Sequence, residues 1–173
     1  MRTPLCLLGL TLAVSGLTVG RDASAIERFD LSNATADCQS SLPVFDGNVR
    51  KRPTAVSNEG TKSAFVTCSV HNYFNAESSN VFAATFTNNT AADVDVNCTM
   101  VNGLRYIGAF TPSFFPKTVH VLAGETAEPQ WTADDNQGNP FADRSFNLSC
   151  NLPVGVEIGS VYTIYEDGSV AAP

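Results

Sequence analysis

DVDVNCTMV, Asp93 to Val101, is the stretch that decides the fold class. Val94, Val96, Cys98 and Met100 alternate with Asp95, Asn97 and Thr99. This period of two belongs to a strand with one dry face and one wet face. Ala64 to Val70 follows the same rule, with Ala64, Val66, Cys68 and Val70 on one side. Phe82, Ala84 and Phe86 give a third strand. Phe146, Leu148 and Cys150 give a fourth, with Ser145, Asn147 and Ser149 outside. In three of the four a cysteine falls on the apolar face, which places the sulfurs in the core.

Working outward, further strands are expected at Gly47–Lys51, Lys117–Leu122, Glu128–Thr132 and Ser160–Tyr165. Turn chemistry separates them at Asn58-Glu59-Gly60, Asn88-Asn89, Ala123-Gly124, Asn136-Gln137-Gly138-Asn139 and Leu152-Pro153. Thr87-Asn88-Asn89-Thr90 reads as the turn of a hairpin joining Val81–Thr87 to Ala92–Val101. No stretch sustains a 3.6-residue period. The expectation is all-β: a single-domain antiparallel β-sandwich of about seven to nine strands, immunoglobulin-like or jelly-roll-like. Ile26 to Asp37 reads as a polar lead-in stapled by Cys38. No internal repeat, low-complexity tail or second-domain boundary is read.

The first 25 residues have the layout of a cleavable secretory signal. Arg2 is followed by an uncharged apolar run from Leu5 to Val19 and by Ala23-Ser24-Ala25. That run is short for a transmembrane helix. The expected mature domain is 26–173, secreted or periplasmic, with no membrane span. The full chain carries a formal charge of −7, and loss of Arg2, Arg21 and Asp22 makes it more acidic. Such a surface repels phosphates and anionic lipid, so nucleic acid and membrane are poor partners. Cys38, Cys68, Cys98 and Cys150 remain, an even number with no CxxC spacing. Two disulfides are therefore expected rather than zinc. Of three possible pairings, Cys38–Cys68 with Cys98–Cys150 is preferred, the others staying open.

LPVFDGNVRKRP (Leu42–Pro53) and NEGTKSAFVTCS (Asn58–Ser69) are followed by NCTMVNG, a KTVHVLAGE…QWTADDN segment and SCNLPVG. Together these resemble a group of small uncharacterised exported proteobacterial proteins, over Cys38 to about Tyr165. The resemblance implies a disulfide-bonded β-sandwich with cysteines in these places. It implies no activity and no site residues.

The candidate chemistry is sparse. His71 and His120 lack a G-x-S-x-G elbow or a spaced histidine partner. Glu125 with Glu128, or Asp134 with Asp135, could be nominated as a glycosidase pair, without a supporting pattern. Asp134, Asp135, Asn136 and nearby Asp143 are oxygen-rich enough for calcium, although the EF-hand register fails and the same residues make plain turns. Arg50-Lys51-Arg52-Pro53 is a recognition patch for anions or an edge strand guarded by charge and proline. Trp131, with Tyr106, is a sugar-stacking platform or ordinary core. Phe110 to Pro116 reads as a loop over one end of the core or an apolar contact surface. The N-x-S/T sequences at Asn33, Asn88, Asn97 and Asn147 read as chance matches. The expected function is a non-catalytic binding or structural accessory of the cell envelope, with a polysaccharide or protein ligand and no required cofactor. The alternative is an extracellular polymer hydrolase.

Overall fold

A computed structural model describes residues 26–43, 47–71, 76–104 and 112–167. The expected leader and Tyr73, Phe74, Tyr106 and Phe110 lie outside the described residues. In chain order the elements are β1 (Ile26–Asn33), the helical turn α1 (Ala34–Asp37), β2 (Cys38–Ser40), β3 (Val49–Lys51), β4 (Val56–Asn58), β5 (Ala64–His71) and β6 (Ala76–Asn88). They continue with β7 (Val94–Asn102), β8 (Ser113–Val121), β9 (Thr126–Ala127), β10 (Gln130–Thr132), β11 (Ser145–Leu152) and β12 (Val156–Asp167). Two antiparallel sheets pack face to face. One has seven strands along the path β10-β6-β12-β4-β3, with β1 also on β12 and β9 also on β6. The other has five, in the order β2-β5-β11-β7-β8.

The alternation read from the sequence sets which residues face inward. Val66, Cys68, Val96, Cys98, Met100, Leu148 and Cys150 from the smaller sheet meet Phe82, Ala84, Phe86, Ile158 and Val161 from the larger. An aromatic chain crosses this interface. Trp131 lies 5.7 Å from Phe82, Phe82 stacks on Phe146 at 5.5 Å, and Phe146 meets the edge of Phe141 at 5.8 Å. Each of these rings is fully buried, an arrangement that contributes about 1.5–3 kcal/mol per side chain.

Both disulfides form as preferred from the sequence, Cys38–Cys68 and Cys98–Cys150. Each joins residues directly opposite on neighbouring strands of the smaller sheet, with Cα atoms 3.9 and 4.1 Å apart. The bridges thus brace one sheet and do not span the two.

Four expectations need correction. The strand count among the described residues is twelve, because β1, β2, β4 and β9 are short or follow no clean alternation. The lead-in is ordered: β1 pairs with β12 over eight positions, and α1 buries Ala34 beside it. Thr87–Thr90 does not close a hairpin, since β6 and β7 belong to different sheets. It is a corner at which the chain crosses the sandwich, and Asn88 builds it. The fully buried Asn88 accepts the Thr90 N–H at 3.0 Å and donates to the Ala92, Val121 and Leu122 carbonyls.

The fourth correction is the repeat. Val56-Ser57-Asn58 to Cys68 and Phe86-Thr87-Asn88 to Cys98 match at a constant offset, with Asn58 over Asn88, Val66 over Val96 and Cys68 over Cys98. The structure repeats too. Asn58 accepts the Gly60 N–H at 3.0 Å and donates to the Lys62 and Leu152 carbonyls at 2.9 and 2.8 Å. In both corners the amide closes its own loop and pins the end of a strand adjacent to the one that follows. Gly155 sits between them, donating to Asn58 O, and its φ of 77° suits glycine.

Candidate functional site

Side chains that alternate away from the core on β5, β11, β7 and β8 form the outer face of the five-stranded sheet. Register places them in rows across the strands. One row runs Phe65, Asn151, Asn97, Thr118. The next runs Thr67, Ser149, Thr99, Pro116, and the third Ser69, Asn147, Val101, Phe114. None of these twelve side chains is charged, in a chain of formal charge −7. A shallow groove of about 300 Å³ follows the first two rows, lined by Asn97, Thr99, Thr118, Ser149 and Asn151 with Phe65 along one side. Phe65 is 46 % exposed and Phe114 64 %. Thr118 Oγ1 donates to Asn97 Oδ1 at 2.8 Å, which turns the Asn97 amide into an outward donor. Lys117 borders the groove, but its ammonium is held by Asp135 at 3.0 Å and by the Gln130 carbonyl at 2.7 Å.

One end of this face is closed by charge. His120 Nδ1 lies 2.8 Å from Asp95 Oδ1, and Nε2 lies 3.8 Å from Asp93. The hydrogen bond to Asp95, helped by the two negative charges, raises the His120 pKa above the ordinary histidine value. The cluster is an exposed ion pair at the margin of the neutral rows.

The residues nominated from the sequence do not assemble elsewhere. Trp131 is fully buried, so the stacking-platform reading is overturned. Its ring is held between sheets: Nε1 donates to the Phe115 carbonyl at 2.9 Å, and the Lys117 ammonium lies 5.5 Å above it. Arg50 and Arg52 lie at the opposite edge of the larger sheet from Trp131, in and just beyond β3. There Arg52 pairs with Glu59 at 2.5 Å and Pro53 follows, the build of a guarded edge strand. Tyr106 lies outside the described residues.

Three of the four nominated calcium ligands, Asp135, Asn136 and Asp143, are occupied by internal bonds. Asp135 accepts the Thr132 N–H at 2.9 Å as well as Lys117, in the short 3₁₀ turn Ala133–Asn136. Asn136 donates to the Asn139 and Pro140 carbonyls, and Asp143 accepts the Ser145 N–H at 2.7 Å. Among the described residues no three His, Cys, Asp or Glu side chains converge as a metal site. Of the carboxylates nominated for hydrolysis, Glu128 accepts from the Tyr162 hydroxyl. That bond and burial together, burial first, raise the Tyr162 pKa.

One contact was not anticipated. His71 Nδ1 lies 3.1 Å from Ser145 Oγ. Ser145 is only 4 % exposed, and Asp143 bonds its backbone N–H. Among the described residues the pair therefore lacks both an accessible nucleophile and an acid orienting the histidine. The neutral face was also missed as a unit. Its members were visible as outward positions, but which of them stand side by side is fixed by register between strands distant in sequence.

No family model and no curated protein matches the chain. Among solved structures it is similar to a CBM4 protein (12 % identity, TM-score 0.35, covering 80 % of this chain and 86 % of that one). It is also similar to TmCBM61 solved with β-1,4-galactotriose (12 %, 0.36, 80 % and 88 %). The Tobacco streak virus coat protein scores alike (8 %, 0.36, 85 % and 90 %). Likeness at this level assigns no function. Among the described residues no helix is long and apolar enough to cross a membrane, and the two disulfides are of the kind that persists in oxidising compartments.

Proposed function

We propose that the protein is an exported, non-catalytic accessory of the cell envelope that binds an uncharged polysaccharide on the outer face of its five-stranded sheet. The observation carrying this reading is the groove of about 300 Å³ lined by amides and hydroxyls beside Phe65, without a free charge in three consecutive rows. Sugars offer hydroxyls that donate and accept, and apolar ring faces. Asn, Ser and Thr side chains answer the first and an exposed aromatic ring the second. A charged polymer gains nothing here, since an anion finds no unpaired cation in the rows and meets an acidic molecule.

The test is retention on insoluble polymers. The purified protein should be retained on at least one neutral polymer from a set of cellulose, chitin, xylan and mannan, and not on polygalacturonate. Ser149→Lys, which pushes an ammonium into the groove, should abolish retention while the melting temperature stays near that of the parent. Failure to bind every neutral polymer would remove the reading, as would binding that Ser149→Lys leaves intact.

A further inference from the structure

The two exposed rings on this face stand at opposite corners. Phe65 projects from β5 in the first row, and Phe114 from β8 in the third. Between them lie β11 and β7. Strands about 4.8 Å apart and a rise of about 3.3 Å per residue put the two positions roughly 20 Å apart along the diagonal. The diagonal crosses Asn151, Ser149 and Thr99, and Asn147 flanks it. The alternation that sends Phe114 outward sends its neighbour Phe115 inward, 5.3 Å from Phe141, which fixes the backbone beneath the exposed ring. Phe65 is fixed in the same way, between the buried Ala64 and Val66.

Resting on the polysaccharide reading, we infer that the ligand is a long, unbranched, neutral glycan that lies diagonally across the strands, with Phe65 and Phe114 each under one sugar ring. A single sugar reaches one platform only. A chain of several units reaches both, and its second contact forms at high effective concentration because the first has already placed it. The uncharged middle of the face excludes branches carrying uronate or phosphate, which would be desolvated there without a counter-charge. The flat open face favours binding along a polymer rather than capture of its end.

The experiment is calorimetric titration of the purified protein with a length series of oligosaccharides from whichever neutral polymer retains it. Affinity should climb with length and level off once the chain covers roughly 20 Å. Phe65→Ala and Phe114→Ala should each weaken the long ligands about tenfold, the usual loss for an aromatic anchor. The shortest ligand should be insensitive to one of the two substitutions. Phe114 is 64 % exposed, so an unchanged melting temperature should accompany its loss. Binding that does not depend on length, or that survives Phe114→Ala at every length, would overturn the two-platform inference and leave the polysaccharide reading standing. Absence of binding to every neutral glycan would overturn both.

Discussion

Asn88 shows how a polar residue can be the least replaceable part of an apolar corner. Its amide has three carbonyl partners and two donors to its own oxygen, all within 3.2 Å. Removing it strands buried carbonyls rather than merely losing a contact. Asn88→Ala should therefore destabilise the protein by about 1–3 kcal/mol in urea unfolding. A neutral outcome would mean that water replaces the amide. His120 makes the opposite case, because it is exposed. Its folded pKa lies above the unfolded value of 6.5. The contribution of its ion pair is complete below that value and fades as pH rises through the folded pKa. In a proton NMR titration His120 should titrate above 6.5, and Asp95→Asn should return it towards 6.5. A histidine unmoved by Asp95→Asn would mean that the hydrogen bond does not set the shift.

At the scale of elements, the bridges lie on strands whose pairing the chain must otherwise hold by hydrogen bonds alone. Cys38–Cys68 closes a separation of 30 residues and Cys98–Cys150 one of 52. On the chain-entropy model each restricts the unfolded chain by roughly 4 kcal/mol. Cys98→Ala with Cys150→Ala should lower the unfolding free energy by about that amount in guanidinium, and an unchanged midpoint would show that the bridge constrains nothing. These strands were legible in the sequence because half of each faces the core and half faces water. β1, β2, β4 and β9 were harder, since short strands and strands at the margin of a sheet lack that contrast. The corner at Asn88 was misread because Asn-Asn suits a hairpin turn locally, and only the contacts with β8 reveal a crossing. Trp131 carried no local sign of its burial, for its hydrogen-bond partner sits on a strand of the other sheet. The repeated Asn-to-Cys pattern stood in the sequence at a fixed offset and could have been found by aligning the chain with itself.

For the whole molecule, the two broad faces of the sandwich differ in character. The smaller sheet presents neutral amides and hydroxyls. The larger presents Phe29 and Leu31 of β1, 59 % and 58 % exposed, with Phe29 packed 4.8 Å from Tyr162. Amides and hydroxyls with Phe65 and Phe114 thus occupy one side of the sandwich, and the apolar side chains of β1 the other.

The placement of the disulfides also governs how the molecule would carry a load. Ile26 lies beside Asp167, because β1 and β12 run antiparallel in register. Tension between those two points would peel β1 from β12 pair by pair rather than shear all eight pairs at once. Peeling from the front stops at Cys38 and from the back at Cys150, where each sulfur hands the force across a strand pair. The covalent path then runs from Cys68 to Cys98, through β6 and the Asn88 corner. Strand β8 with Phe114, and the part of β5 that carries Phe65, lie off that path, whereas Asn97 and Asn151 lie on it. Load between the ends would thus pass beside the exposed rings of Phe65 and Phe114 rather than through the chain that carries them.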